Sequence, residues 1–211
     1  RLVGSEMCIR DRNMFKLPAG ITTASNVGGF GIDGGVSSLI GASFANSKML
    51  YFGAFGDLAF FYDMNSLGNR HVGNNLRILL VNNGCGTEFK LRTHPCHAFG
   101  EEANAYMAAA GHFGNKSKEL VRHYTEDLGF KYFSASNKEE FNAIINEFVS
   151  PAISYSMILE VFTDYTFEDE AYAMIRNIVV DQTAATKKAL KEMGEKVLGK
   201  GTLSKLRKLI P

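Results

Sequence analysis

Two short polar groups in this chain each follow an apolar run, and their residue types suit a bound metal and phosphate. Gly56-Asp57-Leu58 follows Met49 to Phe55, and Asn82-Asn83-Gly84-Cys85 follows Ile78-Leu79-Leu80-Val81. If the runs are neighbouring parallel strands, both groups emerge at one carboxyl edge, where open α/β sheets bind ligands. A carboxylate, a side-chain amide and a free backbone carbonyl are hard oxygen donors. They suit Mg²⁺, which takes few protein ligands and completes its octahedron with phosphate oxygens and water. Aspartate is also a favoured helix N-cap, so the reading rests on the pair and not on Asp57 alone.

A glycine-rich run, Asn26-Val27-Gly28-Gly29-Phe30-Gly31-Ile32-Asp33-Gly34, lies upstream. Its glycines permit a close backbone approach that a side chain would block. Gly29, Gly31 and Gly34 formally satisfy a dinucleotide fingerprint, with Asp57 at about the right distance beyond it. That makes an NAD-binding Rossmann domain the alternative. The fingerprint has to follow a buried strand, however, and Ile21 to Asn26 is largely polar. It also leaves Asn82-Asn83 without a role.

The stretch from Gly84 to Gly114 is punctuated by Gly, Pro, His and Asn around an alanine-rich segment, Ala103 to Ala110. A connection of this length usually serves as a functional loop or lid. It carries Glu88, His94, His97, Glu101, Glu102 and His112, and histidine is suited to move protons near neutral pH. Glu88, His94 and His97 are the lid candidates for a catalytic role. Zinc would need four converging ligands, and no spacing here supplies them.

The elements that must position these groups alternate between strand and helix. Val36 to Ala45 reads as a helix, Met49 to Phe55 as a buried parallel strand, Ala59 to Leu67 as a short helix, and Arg77 to Val81 as the next strand. Leu120, Val121, Tyr124 and Leu128 form a helical stripe before a short strand at Phe130 to Phe133. Ser136 with Glu139 reads as a capping box opening a helix whose inner face is Phe141, Ile144, Ile145 and Phe148. Ser156 to Phe162 is the last strand. The pattern predicts an α/β three-layer sandwich, a mostly parallel sheet covered by helices.

With 45% apolar and 21% charged residues in 211, one well-buried domain is expected. The near-neutral balance argues against a nucleic-acid partner. No run approaches a membrane span of about 18 apolar residues. Three cysteines make no disulfide framework, which suits a reducing cytoplasm. Residues 1–12 read unlike the rest, as a translated sequencing-adapter artefact to be set aside from fold reasoning. Without them 20 basic and 20 acidic residues remain. From 169 to 211 the chain reads as a helical, increasingly basic tail, with a possible apolar seam at Leu190, Met193 and Val197.

Gly-Asp-Leu, the later Asn-Asn and the upstream Gly-Ile-Asp-Gly together resemble the diphosphate-binding signature of thiamine diphosphate-dependent enzymes. The branch they look most like is the menaquinone-pathway 2-succinyl-5-enolpyruvyl-6-hydroxy-3-cyclohexene-1-carboxylate synthases. The resemblance implies that residues 13–168 form the C-terminal domain binding thiamine diphosphate and Mg²⁺. Asp57, Asn83 and the Cys85 carbonyl would hold the metal. Phe30, Gly31 and Ile32 would meet the pyrimidine side of the cofactor, with Ile32 as the apolar wedge. Gly56, Asp57, Leu58, Ala59, Asn83, Cys85, Gly86 and Thr87 would surround the diphosphate. The implied reaction is decarboxylation or carboligation of a 2-oxo acid substrate.

The activating glutamate of such enzymes lies in a separate pyrimidine-binding domain, normally of a second subunit in a homodimer or homotetramer. The expectation is therefore an N-terminally truncated fragment, an incomplete catalyst alone. A non-catalytic subunit that retains the fold is a further alternative. The branch has Asn-Arg-Gly where this chain has Asn26-Val27-Gly28. Arginine is the natural bidentate partner of a substrate carboxylate, so Val27 points to a related carboligase or decarboxylase.

Overall fold

Apolar runs without alternation need both faces covered, and the sheet provides that. The computed structural model describes residues 2–5, 21, 23–24, 32–92, 94–105, 117–168, 170–171 and 173–174. The chain divides into two units, Arg1–Tyr172 and Ala173–Pro211, and the described residues lie almost wholly in the first. Six strands are described: β1 (Leu2–Ser5), β2 (Thr23–Ala24), β3 (Tyr51–Gly56), β4 (Leu76–Asn82), β5 (Lys131–Ala135) and β6 (Met157–Phe162). Their spatial order is β2-β1-β3-β4-β6-β5, and every pairing is parallel.

Four α-helices are given bounds among the described residues: α1 (Gly35–Ser43), α2 (Asp57–Asp63), α3 (Leu120–Asp127) and α4 (Lys138–Val149). The strand period of two divides the core. Ile78, Leu80 and Ile158 pack with Val36, Leu39 and Ile40 of α1, Phe60 of α2 and Val121 of α3. Met157, Leu159, Leu79 and Val161 pack instead with Phe141, Ile144, Ile145 and Phe148 of α4. Helices thus cover both faces, as expected of an α/β three-layer arrangement. Burying one such Leu or Ile side chain contributes about 1.5–3 kcal/mol.

Leu2–Ser5 pairs with β2 on one side and β3 on the other. Several local expectations shift. The short helix after Asp57 begins at Asp57 itself and passes into a 3₁₀ turn over Met64–Gly68. The cap of α4 sits one residue later than Ser136/Glu139. Asn137 Oδ1 accepts from the Glu140 amide at 2.9 Å, and Glu140 Oε2 accepts from the Ser136 amide at 2.7 Å. Asparagine matches serine as a cap, so the reciprocal pair forms in the neighbouring register. On α3 the inward residues are Val121, Tyr124 and the fully buried Thr125, while Leu120 and Leu128 are each 39% exposed. The Leu190, Met193 and Val197 seam lies outside the described residues.

Polar side chains pin the amino edge of the sheet. Arg77, fully buried in β4, donates to the carbonyls of Phe148, Leu76, Tyr155 and Ile153 at 2.7–3.0 Å. It thereby ties the C-terminal turn of α4 to the loop entering β6. Burial lowers the Arg77 pKa from its ordinary value. Asn75 donates to the carbonyls of Ser43 and Met49, both at 3.2 Å, fixing the end of α1 against the entry to β3.

Candidate functional site

Register builds the site. Gly56 pairs with Val81, and Asn82 pairs with Phe162. Three adjacent strands therefore release the chain at one carboxyl edge, at Asp57, Asn83 and Thr163. Gly56 caps α2 in an extended conformation, so Asp57 opens the helix at the sheet edge. Behind it, Ser37 of α1 donates its amide and hydroxyl to the Asp63 carboxylate at 2.6 and 2.5 Å. This holds α2 against α1.

Asp57 is only 2% exposed. Its Oδ2 accepts from the Gly84 amide at 2.7 Å, and its Oδ1 accepts from the Leu58 amide at 2.9 Å. Gly84 has φ +79°, a left-handed conformation that glycine adopts without steric cost. Asn83 Oδ1 accepts from the Cys85 amide at 3.0 Å. Its Nδ2 donates to Glu168 Oε1 at 2.7 Å and to Thr87 Oγ1 at 3.2 Å. The two turns singled out by sequence thus touch.

A carboxylate, an amide oxygen and a nearby backbone carbonyl make a donor set that fits a hard divalent cation sharing its shell with phosphate. Among the described residues no group of three or more His, Cys, Asp or Glu could hold a metal ion. A cation here would rest on the mixed set of Asp57, Asn83 and Cys85. The Cys85 thiol is buried, and burial first of all pushes its pKa up to about 11. It is a neutral thiol at physiological pH, and Cys85 would act through its carbonyl.

Other expected residues are placed less closely. Ala59 is buried in α2, and Thr87 opens a 3₁₀ turn, Thr87–Lys90, directly after Gly86. Ile32 is 37% exposed just ahead of α1. Gly34 caps that helix at φ +86°, where a side chain would be strained. Phe30 and Gly31 lie outside the described residues, as does His112. In the connection after β4, His94 Nδ1 accepts from the Cys96 amide at 3.1 Å, and its ring lies edge-on to Phe89. His97 Nδ1 lies 2.8 Å from the Lys90 carbonyl. Glu88 is exposed in the Thr87–Lys90 turn. Both histidine rings hold loop backbone.

Sequence reasoning missed two carboxyl groups. Glu160 of β6 is 1% exposed, accepting from Asn82 Nδ2 and from the Tyr132 hydroxyl, both at 2.7 Å. Burial raises its pKa, against the lowering effect of those two hydrogen bonds. The Tyr132 hydroxyl is likewise pushed up, first by burial and then by Glu160. The signal was available, since a glutamate interrupts the apolar run Met157 to Val161. Glu168 follows the 3₁₀ turn Tyr165–Phe167 and lies 85 residues from Asn83. Nothing local in the sequence marks it. A cleft of about 420 Å³ lined by Lys48, Leu50, Phe52, Asn75 and Ile153 opens at the opposite, amino edge, away from these groups.

No protein-family model matches the chain. Curated proteins named 2-succinyl-5-enolpyruvyl-6-hydroxy-3-cyclohexene-1-carboxylate synthase do match. The one from Bacteroides fragilis is 34% identical over 163 residues, covering 77% of this chain and 28% of that protein. Its counterpart in Phocaeicola vulgatus is 36% identical over 157 residues, 74% of this chain and 27% of the relative. The Christiangramia forsetii protein is 30% identical over 167 residues, 79% and 27% respectively. The chain thus spans a little over a quarter of the length of the curated relatives it matches. Over about three quarters of its own length, this chain is a homologue of the 2-succinyl-5-enolpyruvyl-6-hydroxy-3-cyclohexene-1-carboxylate synthases.

Proposed function

We propose that this chain supplies the diphosphate- and metal-binding part of a thiamine diphosphate-dependent enzyme acting on a 2-oxo acid. The observation that carries the reading is the 2.7 Å contact between Asp57 Oδ2 and the Gly84 amide. It joins the Gly-Asp turn to the Asn-Asn turn at the carboxyl edge, where α/β sheets bind ligands. The names of the relatives support the same chemistry, and no observation favours a nicotinamide cofactor or a non-catalytic subunit.

Mg²⁺ would be held by Asp57, Asn83 Oδ1 and the Cys85 carbonyl, and would supply positive charge for the diphosphate. The turn from Gly84 to Thr87 would line the phosphate oxygens. Ile32 would present an apolar surface to the cofactor. When bound, the cofactor supplies the electron sink for cleaving and forming carbon–carbon bonds, and the protein supplies position and electrostatics. A pyrimidine-binding domain of a second subunit would complete the site in a cytoplasmic homodimer or homotetramer. Residues 13–168 would form the binding domain, and 169–211 a basic helical tail. The lid residues Glu88, His94 and His97 are candidates for proton transfer to the reacting substrate. Among the described residues, no helix is long and apolar enough to cross a membrane.

The test is a calorimetric titration of thiamine diphosphate with Mg²⁺ into the full-length protein and its Asp57→Ala variant. The reading expects Mg²⁺-dependent binding in the parent and its loss in the variant. Unchanged affinity would remove Asp57 from the anchor.

A further inference from the structure

Asn83 can face a metal with either end of its amide, and only the oxygen end is a ligand. Something in the fold must choose. Glu168 is placed to do so: its Oε1 accepts from Asn83 Nδ2 at 2.7 Å, and its Oε2 accepts from the Thr87 hydroxyl at 2.5 Å. The segment that carries it is held to the same edge. The Thr163 amide donates to the Asn82 carbonyl at 3.0 Å, extending the β4–β6 pairing by one step. The Thr163 hydroxyl also donates to Glu168 Oε1, at 3.4 Å.

We propose that Glu168 is a positioning residue that fixes the Asn83 amide with Oδ1 toward the Cys85 turn, in the orientation a divalent cation needs. This rests on the metal-anchor reading above. The chemistry allows one orientation only. Glu168 Oε1 is the acceptor in this contact, so the side of Asn83 that faces it is the NH₂ group. The oxygen then lies on the other side, where it accepts from the Cys85 amide at 3.0 Å. A carbonyl oxygen has a second lone pair, which leaves it able to ligate a cation. The Glu168 oxygens accept from Asn83 and from Thr87, so the role assigned to the carboxylate is to orient the amide. Partners of this kind orient metal ligands, and losing one typically costs about 10- to 100-fold in metal affinity.

The experiment measures Mn²⁺ and Mg²⁺ affinity in the presence of thiamine diphosphate, by electron paramagnetic resonance and calorimetry, on the full-length protein. Glu168→Ala is expected to weaken metal binding at least about tenfold. Glu168→Gln is expected to stay within about twofold of the parent, because its amide oxygen still accepts from Asn83 while its NH₂ donates to Thr87. Should the alanine variant lose its circular dichroism signature, Glu168→Met, which fills the space without an acceptor, replaces it in the comparison. Parent-like affinity in the variant lacking an acceptor overturns the proposal, as does equal weakening by Gln and Ala. A parent protein that binds no metal with thiamine diphosphate overturns the anchor reading itself, and the orientation of Asn83 with it.

Discussion

Replacing Glu160 by leucine should destabilise the protein, and replacing it by glutamine should not. The carboxyl group is 1% exposed and is the acceptor for Asn82 Nδ2 and the Tyr132 hydroxyl, each at 2.7 Å. Leucine fills the space but leaves both donors without an acceptor. An orphaned buried donor costs about 1–3 kcal/mol. Asn82 is 5% exposed and bears the full cost, whereas Tyr132 is only half-buried and bears part of it. The expected loss is about 2–4 kcal/mol, taking the lower part of the summed range. Glutamine keeps an oxygen for Asn82, and its NH₂ can donate to the tyrosine oxygen.

The same pair predicts a pH dependence. Burial raises the folded-state pKa of Glu160 above its ordinary value of 4.5. Below the unfolded-state value both states hold the proton, and the contribution is fully present. Above it the unfolded chain releases a proton that the folded protein retains, so stability falls as pH rises through the raised pKa. The assay is urea denaturation of parent, Glu160→Gln and Glu160→Leu at a series of pH values. The glutamine variant should gain on the parent as pH rises. A leucine variant within 0.5 kcal/mol of the parent, roughly the range of a neutral surface change, would refute the reasoning. So would a Gln-minus-parent difference that stays flat with pH.

Two further predictions concern groups outside the metal anchor's oxygen donors. Arg77→Ala should cost about 3–5 kcal/mol in urea denaturation, because several buried carbonyls lose charge-assisted donors. Arg77→Lys should recover only part of this, since a single ammonium cannot span the carbonyls of Phe148, Tyr155 and Ile153. Iodoacetamide at pH 8, followed by peptide mass spectrometry, should label half-buried Cys96 well before Cys85. The Cys85 thiol is buried with its pKa pushed up to about 11, so little thiolate is present.

What the sequence made legible followed from patterns that do not depend on distant residues. The apolar runs around Ile78-Leu79-Leu80 and Met157-Ile158-Leu159 required a sheet covered on both faces, and the two core clusters sort these residues by alternate face. The placement of Asp57 and Asn83 at strand ends was legible because turn chemistry there is local. Their contact through Gly84 follows once β3 and β4 are neighbours in register. The α4 cap slipped by one residue because Ser136 and Asn137 are both good caps, and the choice depends on where β5 ends.

Glu168 was not legible at all. Its partners Asn83 and Thr87 lie more than 80 residues away, and only the β4–β6 pairing brings them to one edge. Glu160 was visible as a charge in an apolar strand. Its meaning needed Tyr132 and Asn82 from two neighbouring strands.

The central claim is that the turns after β3 and β4 jointly hold a metal and a diphosphate. The most direct measurement is a crystal structure of the full-length protein grown with thiamine diphosphate and Mg²⁺. The account predicts one metal ion ligated by Asp57, Asn83 Oδ1 and the Cys85 carbonyl, with diphosphate oxygens completing its shell. A cofactor bound elsewhere, or a metal at this edge that leaves Asp57 or Asn83 out of its coordination, would contradict it.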